Sequence, residues 1–164
     1  MDEAVCPSCG TPGRGVKTIT LRSLIGQEKQ AVIGSDHYFF CGTMGCETVY
    51  FSHGQQFSRE DLTVRVGIKE AASPRPVCYC FDHSVEEIFD EVERTGKSTV
   101  AAGIRKRMAA EGCSCETRNP QGTCCLGTVE GVVRDAYARF GIKAGAPEKE
   151  GGEKSCCGPD GCCR

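Results

Sequence analysis

The pattern of apolar and polar positions changes its period part-way along the chain. Leu62, Val64, Val66 and Ile68 alternate with Thr63, Arg65 and Gly67, which predicts a strand with one buried face. Shorter runs rich in β-branched and aromatic residues at 16–24, 30–33, 38–40 and 48–51 are separated by glycine-containing breaks, so residues 1–72 read as a small, half-solvated sheet. Ser73-Pro74-Arg75-Pro76 then stops regular structure, because neither proline can donate to a ladder or continue a helix. Past residue 80 the period becomes 3.6. Ser84 and Glu87 form a capping box, Val85, Ile88, Phe89 and Val92 make one stripe, and Gly96 supplies a stop, which predicts a helix over 85–95. A second helix is predicted after Ser98, with Val100, Ile104 and Met108 at four-residue steps and an end at Gly112. A third is predicted over about 126–140, carrying Val129, Val133, Tyr137 and Phe140. The expectation is an α+β protein: an antiparallel β domain over 1–72, a three-helix domain over 73–143, and a flexible tail over 144–164, where Gly, Glu, Lys and Pro leave nothing for a core.

Composition adds one decisive fact. Fourteen of 164 residues are cysteine, about 8.5%, and they fall in seven close pairs. Such a density means either a disulfide scaffold or metal binding. The start, Met-Asp-Glu-Ala-Val with a cysteine at position 6, lacks the basic and apolar regions of a secretory signal, and no stretch approaches a membrane span. A cytoplasmic, reducing location is expected, where thiols favour metal. A formal charge of −2 gives no general attraction to nucleic acid. Gly10-Thr-Pro-Gly13-Arg-Gly15 lacks the Lys-Ser/Thr ending of a phosphate loop, and no nucleophile with a neighbouring base can be argued, so an ordinary hydrolase or kinase is not expected. Arg105-Lys106-Arg107 reads as a solvated helix face.

Cys6-Pro-Ser-Cys9 and Cys41-Gly-Thr-Met-Gly-Cys46 are two knuckles whose four thiolates can close a tetrahedron around structural Zn²⁺; Asp36 or His37 could replace one thiolate. His53 and His83 are given no role. Cys78-Tyr-Cys80 is too tight for a zinc knuckle, but it can grip iron from a turn, and a hairpin of two helices would return Cys113-Ser-Cys115 and Cys124-Cys125 to it. Four of these six thiols suffice for a [2Fe–2S] cluster.

Val77-Cys78-Tyr79-Cys80, the helix pair, Cys115 and Cys125-Leu-Gly-Thr-Val resemble the bacterioferritin-associated-ferredoxin type of [2Fe–2S] domain. Over roughly residues 5–141, the two knuckles, Tyr38-Phe, Glu47-x-Val-Tyr-Phe51, Arg65-Val-Gly-x-Lys69 and Asn119-Pro-x-Gly-x-Cys-Cys125 are similar to the N-terminal domain of archaeal-type CopZ copper chaperones. That resemblance implies one zinc and one [2Fe–2S] cluster, with Cys78, Cys80, Cys115 and Cys125 as cluster ligands, Cys113 and Cys124 spare, Cys124 the alternative to Cys125, and a capacity to reduce Cu(II) to Cu(I). The βαββαβ copper-carrying domain with a Met-x-Cys-x-x-Cys loop is not found here. In its place, Cys156-Cys157 and Cys162-Cys163 flank the turn sequence Gly-Pro-Asp-Gly. These vicinal thiols are similar to those of arsenical-resistance metallochaperones and suit Cu(I) or As(III). The expectation is a metallochaperone or reductant for soft ions that works with a metal-transporting ATPase or a reductase, more a metal-binding electron-transfer protein than an enzyme. A ferredoxin-like carrier or redox sensor for a partner oxidoreductase is the alternative, and a colourless zinc-only interaction module a third reading.

Overall fold

The computed structural model describes residues 4–143. Four short strands, β1 (Arg14–Val16), β2 (Tyr38–Phe40), β3 (Thr48–Phe51) and β4 (Gln56–Ser58), form one antiparallel sheet in sequence order. Between β1 and β2 the chain forms helix α1 (Thr18–Leu24) and a 3₁₀ turn, Gln27–Val32. Leu21, Ile25, Ile33, Tyr38, Phe40, Val49, Tyr50, Phe57 and Val66 build the core beneath this sheet.

The segments over 38–40 and 48–51 are strands as their aromatic and β-branched residues predict, but three other expectations are corrected. Residues 16–24 are mainly helix, because Thr20, Leu21 and Leu24 lie on one helical face and all three are buried. Residues 30–33 belong to a 3₁₀ turn and its end. Residues 62–68 form no strand: Leu62 makes a single bridge to Ile25, Val66 is buried, Ile68 is exposed, and the run ends in a 3₁₀ turn, Gly67–Lys69. Alternation needs a partner strand, and β4 already holds that edge of the sheet.

Pro76 does not stop structure but opens a strand, the position where a missing N–H is tolerated. β5 (Pro76–Cys78) pairs with β6 (His83–Ser84) in a two-stranded ribbon. Helices α2 (Val85–Thr95), α3 (Val100–Glu111) and α5 (Leu126–Arg139) follow, with a single-turn α4 (Cys115–Arg118). The Ser84 hydroxyl accepts from the Glu87 N–H, and Gly96 closes α2 with φ 78°. The reciprocal half of the capping box is missing, since the Glu87 carboxylate pairs with His83 Nδ1 at 3.0 Å. Ile88, Val92, Val100, Ile104, Met108, Val129 and Ala136 form a second core, and Cys78, Cys113, Cys115 and Cys125 are buried within it. No helix among the described residues is long and apolar enough to cross a membrane.

Candidate metal centres

The first centre lies at one end of the four-stranded sheet. Cys6 and Cys9 stand on a turn closed by the Gly10 N–H donating to the Cys6 carbonyl (2.8 Å) and the Cys6 N–H donating to the Thr11 carbonyl (2.9 Å). Cys41 and Cys46 stand on the β2–β3 connection, which the sheet starts by bonding the Cys41 N–H to the Val49 carbonyl; Gly45, at φ 76°, lets it turn back. The four Sγ atoms lie within 4.8 Å of one another, with Cys6 to Cys46 at 3.9 Å and Cys9 to Cys41 at 3.6 Å. A tetrahedron with Zn–S bonds of about 2.3 Å has edges of about 3.8 Å, so these sulfurs are spaced to hold Zn²⁺. Asp36 and His37 are exposed and stand outside the group.

Electrostatics divide the four. Cys9 is exposed, and its contact with the Thr43 hydroxyl, 3.4 Å away, with further help from Thr11 holds its thiol down to about 5. Burial pushes Cys46 up to about 11, against donation from Thr48. Beneath this knuckle lies a residue whose part sequence reasoning left unread. Lys69 is 1% exposed, and its ammonium donates to the carbonyls of Thr43 (3.0 Å) and Cys46 (3.2 Å). Among the described residues it has no carboxylate partner, and a buried cation without a counter-charge is strongly disfavoured. Zn²⁺ bound by four thiolates is dianionic and would supply that charge. The signal for Lys69 in the sequence was a lysine one position beyond an apolar alternation.

The second group of thiols gathers where β5, α4 and the start of α5 meet. Cys125 Sγ lies 3.3 Å from Cys78 Sγ, and Cys80 Sγ lies 3.7 Å from Cys115 Sγ. Cys115 also touches Cys124 and Cys125. Cys78, Cys115 and Cys125 are buried and Cys80 is half-buried. Unlike the first set, these sulfurs make a chain of contacts, from Cys80 through Cys115 and Cys125 to Cys78, rather than a mutual foursome, and a diiron cluster takes two protein ligands on each iron. In each pair one thiol loses its proton readily at the expense of the other. Contact with Cys115 holds Cys80 down to about 7, helped by the Ser114 N–H 3.2 Å from its sulfur, while contacts with Cys115 and Cys78 hold Cys125 down to about 4. Cys78 is pushed up by Cys125 and by burial, and Cys115 by its cysteine neighbours. Cys125 also caps the N-terminal end of α5, where partial positive charge favours a thiolate.

Cys113 is buried in the helical core and Cys124 is half-buried against Cys115. Cys156, Cys157, Cys162 and Cys163 lie outside the described residues.

The loops that carry this second group are held by the sheet half. The side chain of Tyr79, between Cys78 and Cys80, accepts the Gly67 N–H (3.0 Å) and donates to the Arg65 carbonyl (2.7 Å). Tyr50 of β3 donates to the Pro120 carbonyl (2.6 Å), and Thr20 of α1 donates to the Glu116 carbonyl (2.7 Å). Asn119, buried, shapes the turn between Cys115 and Cys125 by accepting from the Gln121 N–H and donating to the Thr123 carbonyl. Apart from the local turn at Asn119, none of these partners could be read from local spacing.

A family model described as a zinc binding domain of the CopZ type matches residues 3–63. The protein described as copper chaperone CopZ from Archaeoglobus fulgidus is 33% identical over 144 residues, covering 84% of this chain and 69% of that protein. The X-ray structure of the Archaeoglobus fulgidus CopZ N-terminal domain superposes with a TM-score of 0.67 at 30% identity, covering 86% of this chain and all of that one.

Proposed function

This chain belongs to the CopZ copper-chaperone family, and from that premise we propose that it is a zinc-stapled, one-electron iron–sulfur protein that handles soft metal ions. Three units divide the work: a zinc-binding β unit over 1–72, a helical unit over 73–143 of the bacterioferritin-associated-ferredoxin kind, and a cysteine-rich tail over 144–164. The observation that carries the reading is the contrast between the two sets of sulfurs. One is a mutual foursome spaced for a single ion, and the other is a row of contacts from Cys80 through Cys115 and Cys125 to Cys78. The superposition spans 86% of the chain and so runs well beyond the zinc-binding segment into the helices that bear the second set.

In this reading Cys6, Cys9, Cys41 and Cys46 hold a redox-silent Zn²⁺ that closes the sheet end. Cys78 with Cys125, and Cys80 with Cys115, would hold a [2Fe–2S] cluster, which when bound supplies one electron at a time. The chain's part is to keep three of those sulfurs away from water and to leave Cys80 at an edge. Arg107 covers the ring of Phe81, the residue after Cys80, at 4.2 Å. With the cluster bound, Cu(II) as substrate would gain one electron to become Cu(I), and an outside reductase or thiol would have to replace that electron. Thiolates hold Cu(I) better than Cu(II), and Cys156, Cys157, Cys162 and Cys163 are the thiolates proposed to receive it; As(III) suits the same donors. A metal-transporting ATPase is the fitting recipient, and a reducing cytosol the fitting place.

The test is metal and sulfide analysis of the full chain purified without oxygen, followed by titration with Cu(I) and with As(III). About one zinc and two irons per chain, a coloured protein, and loss of soft-ion binding when the four tail cysteines become serine are expected. A colourless protein with zinc alone would overturn the electron-transfer part. The half-buried Cys80 equally suits a ferredoxin-type carrier for a partner oxidoreductase, and that second reading gains if the tail variant binds both ions as the wild type does.

A further inference from the structure

We infer that the zinc half positions the ligands of the diiron site through a relay of two side chains, Lys69 and Tyr79, so that the second centre depends on the first. The inference rests on the diiron reading above and adds to it which residues outside the ligand set hold that site in shape.

The relay can be followed atom by atom. Lys69 Nζ grips the carbonyls of Thr43 and Cys46 within the wider zinc knuckle. The same residue ends the 3₁₀ turn Gly67–Lys69, so the knuckle and the turn move together. Gly67, which starts the turn, lies directly against β5: a Cβ there would come 1.8 Å from the Pro76 carbonyl oxygen. Its N–H donates to Tyr79 Oη, and Tyr79 Oη donates in turn to the Arg65 carbonyl just before the turn. Tyr79 is the middle residue of the Cys78-Tyr-Cys80 loop, and anchoring its ring on the sheet side fixes the direction in which the two flanking sulfurs leave the backbone. Tyr79 and Cys80 stand in the turn that leaves β5, so tying the Tyr79 ring to the sheet side fixes that turn and with it the positions from which Cys78 meets Cys125 and Cys80 meets Cys115.

Charge gives the relay a direction. The Lys69 ammonium is buried without a carboxylate among the described residues, so its placement is favourable when the knuckle above it carries the dianionic zinc–thiolate charge. Loss of zinc would take away most of the negative charge that compensates that cation. It would then withdraw from the two carbonyls and release the turn to which Tyr79 is tied. The ligand loop on the other side, 115–125, has its own brace to the sheet, from Tyr50 to the Pro120 carbonyl. The relay through Tyr79 is thus specific to the Cys78/Cys80 side.

Neither residue touches iron, so both are positioning residues, and the test must read the site rather than activity alone. The full-length chain is loaded anaerobically with zinc, iron and sulfide, in wild-type form and as Tyr79→Phe and Lys69→Met. Iron release to a chelator, zinc release and the visible circular dichroism of the cluster are then followed. Tyr79→Phe keeps the ring and its packing and removes both hydrogen bonds. It is expected to release iron about tenfold faster and to alter the visible dichroism, with zinc retention and the far-ultraviolet spectrum unchanged. Lys69→Met is expected to speed the release of both metals. Should Lys69→Met not fold, the milder Tyr79→Phe decides. Wild-type iron release and an unaltered visible dichroism in Tyr79→Phe would overturn the relay while leaving the diiron reading intact. A wild-type chain that takes up no diiron cluster under these conditions would overturn that reading and the relay with it.

Discussion

Substituting Gly67 by alanine tests the closest approach that an added Cβ would make at any glycine among the described residues. A Cβ at this position would lie 1.8 Å from the Pro76 carbonyl oxygen and 2.8 Å from its carbon, both backbone atoms that no rotamer change can move. Relief requires the turn and β5 to separate by about 1.5 Å to reach ordinary contact. Overpacking of this kind costs about 1–3 kcal/mol. Separation also stretches the 3.0 Å bond from the Gly67 N–H to Tyr79 Oη, whose loss costs about 1 kcal/mol more. The expected destabilisation is about 2–4 kcal/mol, which in a chain of this size lowers the melting temperature by about 5–15 °C. Urea unfolding of the zinc-loaded chain, followed by far-ultraviolet circular dichroism at fixed protein and zinc concentration, measures it. Gly15→Ala is the control, since a Cβ there meets nothing within 4 Å. A Gly67→Ala protein within about 0.5 kcal/mol of wild type, or a control that falls as far, would refute the reasoning.

Two predictions concern protons. Burial opposes ionisation of Glu86, but the Arg75 N–H, the Arg75 guanidinium at 2.8 Å and the Ser73 hydroxyl together hold it down to about 2 from an ordinary 4.5. A carboxyl depressed by folding stabilises above its unfolded value and loses that contribution as pH falls through its folded value, so the window is pH 4.5 to 2. With solvent screening allowed for, Glu86→Gln should cost about 1–2 kcal/mol at pH 7 and flatten the acid loss of stability in that window; an unchanged acid profile would count against it. At the zinc site, Cys46 at about 11 keeps its proton at neutral pH while Cys9 at about 5 has lost its own. Zinc binding at pH 7 should therefore release at least one proton, from Cys46, and tighten as pH rises. Calorimetry in buffers of different ionisation enthalpy measures the release, and a value of zero would contradict the assignment.

What could be read from the sequence was what neighbours along the chain decide. The ends of α2 at Ser84 and Gly96, the end of α3 at Gly112, and the two zinc knuckles all rest on spacings of a few residues. The strands over 38–40 and 48–51 were legible because their aromatic residues leave little choice. Residues 16–24 were misread because β-branched residues suggest a strand, whereas packing of Thr20, Leu21 and Leu24 on one face decides for a helix. The alternation at 62–68 had no partner strand to pair with, a fact about topology rather than about those residues. Lys69 and Tyr79 stayed unread for the same reason, since their partners are 12 to 26 positions away and are backbone groups, which leave no mark on composition.

The struts from Thr20 and Tyr50 to the loop between Cys115 and Cys125 join positions 96 and 70 residues apart. The placement of that loop is consequently borrowed from a distant part of the polypeptide. Transplanting the helices and their cysteines onto a foreign carrier would move the donor atoms without the scaffold that aims them, so this part of the molecule is not portable by itself.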